Sequence, residues 1–221
     1  MNQRYFLTGT DTEIGKTFVT CALLAKAAGT GLRAAGLKPV AAGTDADGKN
    51  EDVENIRAAS NLSLPTSLIN PYGFAPAIAP HIAAAEADCC IEFPVIRQAV
   101  DAASALTDFL VVEGVGGFRV PLGVDRDTAD LAVDLALPVI LVVGLRLGCI
   151  NHALLTVEAI AARGLTLAGW VANCVDPQMS RQSENLATLR QSIAAPLLGC
   201  IPFLPGRPAT EAAKHLNLPG R

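Results

Sequence analysis

Aromatic and charged residues are both scarce in this chain: 5% of its 221 residues are Phe, Trp or Tyr, and 17% are Asp, Glu, Lys or Arg. Its apolar half, 51% of the residues, is therefore mostly Ala, Leu, Val and Ile. That content excludes a disordered chain, which needs few aliphatics and much charge. The most apolar stretch, 135–145, is 11 residues long and contains a proline, well short of the roughly 20 that a spanning helix requires. The opening MNQRYF has no basic segment leading into an apolar one, so no export signal is expected and the expected location is cytoplasmic. The six cysteines (Cys21, Cys89, Cys90, Cys149, Cys174 and Cys200) include no C-x-x-C pair, which removes zinc-ribbon and thioredoxin readings. Most lie in apolar runs such as LLGCI and are expected to be small buried hydrophobes in a reducing compartment. Net charge is −4 without a basic stripe, so nucleic acid has no electrostatic foothold. The 19 Gly and 14 Pro follow no period, which excludes collagen-like arrays.

What is present is an alternation of short apolar runs with longer helix-compatible stretches. Strands are expected at Tyr5–Thr8, Ala34–Pro39, Phe109–Glu113, Val139–Val143, Ala168–Asn173 and Leu197–Ile201. Helices are expected at Lys16–Ala28, Asp52–Ala59, Phe93–Leu106, Asn151–Arg163 and Arg181–Ile193. This pattern predicts one α/β domain over residues 1–221, with a mostly parallel sheet covered by helices on both faces. The stretch Asn70–His81 breaks it, because three prolines oppose regular helix and strand. A long loop of that kind inside a compact domain is often functional.

In such sheets ligands sit beyond the carboxyl ends of the strands. After the first strand comes Gly9-Thr-Asp-Thr-Glu-Ile-Gly15-Lys16-Thr17, running directly into a helix-compatible segment. This is a variant Walker A loop: the strict pattern places glycine at position 10, where this chain has Thr10. Loop N–H groups, the helix dipole and the Lys16 ammonium suit phosphate oxygens, and the Thr17 hydroxyl suits Mg²⁺. The second strand ends in Lys38-Pro39. From position alone Lys38 could serve the ligand crevice or snorkel to solvent. The Asp45–Asp52 segment resembles a calcium loop at a glance, but its glycine is at the fourth place rather than the sixth and no glutamate closes it. Asp52 opens a helix, where dipole compensation alone would explain it. Glu113 ends an apolar strand in the Walker B manner, with Gly114, Val115, Gly116 and Gly117 following. Asn173 follows another strand and could either read a purine edge or cap a turn. Pro202, Phe203 and Leu204 follow the last strand and could wall a base. His152 reads as a hydrogen-bonding residue of a helix N-terminus rather than as a catalyst.

Together, TGTDTEIGKT (8–17), GLKPVAAG (36–43), the NPYGF…PH loop (70–81), VVEGVGG (111–117), PVILVVGLRLGCINHALLT (138–156) and LAGWVANCV (167–175) resemble the dethiobiotin synthetase family over nearly the whole chain. The resemblance implies a P-loop NTPase-like fold and the conversion of 7,8-diaminopelargonate, CO₂ and MgATP to a cyclic urea, by way of a carbamate and a phosphorylated carbamate. It implies that Lys38, Lys16 and Thr12 serve the reacting groups. Thr17, Asp52 and Glu113 would hold Mg²⁺. Glu13, Ile14, Gly15, Lys16, Thr17 and Phe18 would line the phosphates of ATP, together with Asp52, Glu113, Gly114, Val115 and Gly116. Asn173 would read the adenine, flanked by Pro202, Phe203 and Leu204. Lys38 and Ala42 would face the organic substrate, and Gly148, Cys149, Ile150 and Asn151 would complete a neighbouring site in a homodimer. The chain departs from the family pattern at Ala42, where Ser is frequent; the missing hydrogen bond is worth on the order of 0.5–1.5 kcal/mol. Cys174 stands where Asp is frequent. The stretch after Leu204 is shorter, which leaves Glu211 unassigned.

Two other classes fit the residues less well. A partition or septum-site ATPase switch would carry a lysine early in its phosphate loop, where this chain has Asp11. An amidating ligase would need an ammonia-supplying module, for which a chain of 221 residues without a Cys–His nucleophile pattern has no room.

Overall fold

The structure is a computed structural model that describes residues 3–220. The reading of the N-terminal segment rests partly on Met1 and Asn2, which lie outside the described residues. Strand β1 (Gln3–Gly9) leads through the phosphate loop into α1 (Lys16–Gly29), then β2 (Ala34–Leu37), β3 (Val40–Ala42), α2 (Glu51–Ala59), α3 (Thr66–Ile69), β4 (Tyr72–Phe74), α4 (Pro80–Glu86) and α5 (Phe93–Leu106). The second half runs β5 (Phe109–Glu113), α6 (Thr128–Leu135), β6 (Val139–Leu145), α7 (Cys149–Ala162), β7 (Leu167–Cys174), α8 (Gln182–Ser192), β8 (Leu197–Ile201) and α9 (Ala209–Ala212), the last followed by a 3₁₀ turn at Ala213–His215.

Six strands form a parallel sheet in the order β2-β5-β1-β6-β7-β8. Successive side chains of a strand point to opposite faces, and the core divides accordingly. Tyr5 and Leu7 of β1, Phe109 and Val111 of β5, and Ile140 and Val142 of β6 pack with α1, α2 and α9 on one face. Phe6, Leu110, Val112 and Val139 pack with α5 and α6 on the other, where Leu141, Val143 and Trp170 meet α7 and α8. Strands buried on both faces read as continuous apolar runs, and all five residues of β5 and all seven of β6 are buried. Each large apolar side chain so enclosed contributes roughly 1.5–3 kcal/mol.

Three expectations need correction. The strand expected at Ala34–Pro39 stops at Leu37, and Lys38-Pro39 forms a break before β3. Proline has no N–H to continue a ladder; the Lys38 N–H instead donates to Ile69 O, and Tyr72 N donates to Pro39 O. The Asn70–His81 stretch is not irregular throughout. Its Tyr72–Phe74 segment pairs in parallel with β3 as a small second sheet, and Pro80 opens α4. Proline opposes the interior of an element but suits the first position of a helix. The buried-cysteine expectation also fails in part: Cys21, Cys149 and Cys174 are buried, but Cys89 and the LLGCI cysteine, Cys200, are half-buried and Cys90 is exposed.

Candidate active site

In the sheet order, β1 has β5 on one side and β6 on the other, so the crevice beyond its carboxyl end is the switch point at which ligands settle. The phosphate loop occupies that place. Glu13 and Gly15 take left-handed backbone conformations, with φ of 57° and 81°. Gly15 is required on a second count, since a Cβ there would collide with the Asn173 amide. That amide donates to Ile14 O at 2.8 Å and braces the loop from behind. The Ile14 side chain is buried beneath the loop.

Lys16 is buried at 7% exposure, and its ammonium donates to Asp11 O at 2.8 Å. Burial lowers its pKa to about 8, with Glu113 opposing the shift and Lys38 adding to it. The Asp11 carboxylate in turn pairs with Arg146 from the loop after β6.

Around Glu113 four elements converge. Its side chain has no exposure. Oε1 accepts from the Thr17 hydroxyl at 2.7 Å and from Lys38 Nζ at 2.7 Å, and Oε2 accepts from the Thr20 hydroxyl at 2.6 Å. Lys38 also donates to Asp52 Oδ2 at 2.7 Å. Burial works against the Lys38 charge, but Glu113 and Asp52 together outweigh it and raise its pKa. Burial likewise disfavours the Asp52 anion, and the adjacent Lys38 ammonium more than compensates, so its pKa falls. Asp52 is placed by α2, whose cap Asn50 accepts from Val53 N and donates to Gly43 O.

These groups open onto a cavity of about 1480 Å³. Of the residues expected from the sequence, Thr12, Glu13, Gly15, Lys16, Thr17, Phe18, Lys38, Ala42, Asp52, Val115 and Gly116 line it. Glu113 and Gly114 do not line it: both are buried, Gly114 N donating to Leu7 O of β1 and Glu113 reaching the cavity only through Thr17 and Lys38. Asn173 and Ile14 stand behind the loop rather than in the cavity wall. Pro202 and Phe203 are exposed and Leu204 is half-buried; the lining from this part of the chain comes instead from Arg207, Pro208, Ala209 and Thr210. Glu211 pairs with Lys214 at 2.7 Å. Gly148, Cys149, Ile150 and Asn151, at the start of α7, do not line the cavity of their own chain.

The sequence reading missed Thr20, the Asp11–Arg146 pair, and Asn55, Ile78 and Val120 in the cavity wall. Thr20 had a signal, since it lies three residues after Thr17 and so on the same helical face. Ile78 lies in the Asn70–His81 stretch that its three prolines had marked; the others arrive from distant segments and had none.

A parallel sheet whose first strand enters such a loop, with a buried lysine on the loop and a buried acid ending the adjacent strand, defines a P-loop nucleotide-binding protein. The MinD cell division protein of Aquifex aeolicus superposes with a TM-score of 0.59 at 12% identity, covering 96% of this chain and 93% of that one. A ParA family ATPase from Chlorobium tepidum gives 0.57 at 11%, covering 97% and 90%. At such identities the likeness is one of fold. Residues 3–208 match the AAA domain family. The ATP-dependent dethiobiotin synthetase of Aromatoleum aromaticum is 58% identical over 98% of this chain and 97% of its own length. That of Ralstonia nicotianae is 56% identical over 96% and 94%. The chain belongs to the AAA domain family and, more narrowly, to the ATP-dependent dethiobiotin synthetases.

Proposed function

We propose that this protein converts 7,8-diaminopelargonate, CO₂ and ATP to dethiobiotin. Beyond family membership, one observation carries the reading: the Lys38 ammonium stands between Asp52 and Glu113 in the cavity that the phosphate loop also lines. One substrate amine takes up CO₂ and loses a proton, giving a carbamate. A carbamate oxygen then attacks the γ-phosphorus of ATP and ADP departs. The second amine attacks the carbamoyl carbon, the C–O bond to phosphate breaks, and ring closure releases phosphate and a proton. Carbamate and transferring phosphoryl are both anionic, so catalysis needs fixed cations more than covalent chemistry. Lys16 steadies the phosphates once it leaves Asp11 O. Lys38, whose charge the two carboxylates secure, holds the carbamate, and the Thr12 hydroxyl faces the same cavity.

Thr17, Asp52 and Glu113 offer only oxygen donors, which suits Mg²⁺. Among the described residues no group of three or more His, Cys, Asp or Glu gathers as a metal cage; Mg²⁺ commonly uses one or two carboxylates plus substrate phosphates instead. When bound, the ion neutralises phosphate charge. The amide of Asn173 keeps an acceptor oxygen suited to the adenine amino group, and the segment from Pro202 to Thr210 flanks it. The α7 start, with Leu147 92% exposed and Gly148–Asn151 outside their own cavity, supports a homodimer in which this segment completes the neighbour's site. Among the described residues no helix is long and apolar enough to cross a membrane, and we place the enzyme in the cytoplasm.

The purified protein mixed with MgATP, bicarbonate and diaminopelargonate should yield the cyclic urea, detected by mass. ADP release without it would sink the reading. Against the alternative of a partition or septum-site switch stands Asp11, an acid paired with Arg146 where that class carries its early lysine.

A further inference from the structure

We propose that Thr20 is a positioning residue that fixes the orientation of the Glu113 carboxylate, so that Oε1 faces the cavity; this rests on the reading of Glu113 as a holder of Mg²⁺. The two oxygens of Glu113 have different surroundings. Oε1 accepts from Thr17 and Lys38, both of which line the cavity and are the groups expected to turn toward incoming ligands. Oε2 accepts from Thr20, which has no exposure, at 2.6 Å. When Thr17 turns to the cation and Lys38 to the carbamate, the Thr20 bond is the one that persists and keeps the carboxylate from rotating.

Thr20 is itself held. A β-branched side chain in a helix has few χ1 choices, and a threonine hydroxyl usually competes for the carbonyl a turn earlier. Here the Cγ2 methyl faces Gly36 of β2: a Cβ at Gly36 would stand 3.5 Å from it and 2.6 Å from Ile56 Cγ2. Packing of the methyl against β2 directs the hydroxyl to Glu113. In a site this dry an unpaired carboxylate oxygen is costly, so Oε2 depends on this donor.

The test is calorimetric ATP binding to the full chain, with saturating Mg²⁺ and again in EDTA, alongside thermal unfolding. Thr20→Val removes the hydroxyl and keeps the shape. It should lose about tenfold of the tightening that Mg²⁺ gives, as expected for a hydrogen bond to a charged group, with affinity in EDTA unchanged. Thr20→Ser should restore the tightening. Thr20→Ala, which puts no added atom against Glu113, is the second variant should Val fail to fold, and should lose the same increment. A Val or Ala variant with the parent's Mg²⁺ response, or one weakened equally in EDTA, overturns the proposal. A parent protein that binds ATP with no Mg²⁺ tightening refutes the metal reading beneath it, and the proposal with it. Failure to form the cyclic product would touch neither measurement.

Discussion

Lys38 Nζ lies 2.7 Å from Glu113 Oε1 across 75 residues of sequence, and neither side chain is more than 5% exposed. A buried charge pair of this kind gives little net stability, but removing one member leaves the other uncompensated. The arrangement therefore serves to hold a cation at a chosen place, where its charge is secured by two carboxylates.

Replacement of Lys38 by Ala should leave ATP binding largely intact and lower product formation about a hundredfold or more, the scale of one preorganised charge contact in a transition state. Calorimetry for ATP and mass detection of the cyclic urea separate the two effects. Near-parental turnover would show that Lys38 does not hold the carbamate.

The same variant should be less stable by about 3 kcal/mol without metal, because Glu113 is left buried without its cation. Mg²⁺ should recover much of that loss by supplying positive charge to the same carboxylates. Thermal unfolding of parent and variant in EDTA and in Mg²⁺ checks both halves; equal losses in the two conditions would contradict a shared role for Glu113.

Gly15→Ala should weaken ATP binding and cost about 1–3 kcal/mol, since residue 15 has φ of 81° and an added Cβ meets the Asn173 amide. Asn173→Ala should cost about 1 kcal/mol by freeing Ile14 O. Combined, the two should cost less than their sum, because the second removes the group with which the first collides. Simple additivity in denaturant unfolding would argue against the collision.

Cys200 should be the half-buried thiol that alkylates most readily near neutrality. The neighbouring Cys174 thiol lowers its pKa, whereas burial pushes Cys21 up to about 12. The thiolate is the reacting form, so labelling of Cys200 by iodoacetamide should climb at a lower pH than that of a cysteine model peptide, while Cys21 stays unlabelled. Peptide mapping by mass spectrometry follows each site; Cys200 labelling that rises no earlier than the model peptide's would refute the assignment.

Much of this site could be read from local pattern. Gly15, Lys16 and Thr17 are consecutive, and an apolar strand leading to Glu113 reports both the strand and its acid. Lys38 was visible only as a lysine near a strand end, with solvent as an equal alternative. What separates those alternatives is the position of Glu113 and Asp52, and contacts across 75 and 14 residues leave no local trace. The small β3–β4 sheet was hidden for a similar reason: three prolines oppose regular structure, while a two-strand pairing brought about by the turn at Lys38-Pro39 depends on distant chain.

The sequence alone determined the alternation of strands and helices, the aliphatic two-faced burial and the phosphate loop, because these depend on periodicity and on neighbours within a few residues. Tertiary structure decided which charge meets which. It set Lys38 between two acids, turned Asn173 to the back of the loop, gave Oε2 of Glu113 to Thr20, and brought Arg207–Thr210 rather than Pro202–Leu204 to the cavity wall. Such pairings follow from strand order and helix docking, which place groups from remote segments within hydrogen-bonding reach only after the sheet has closed its core.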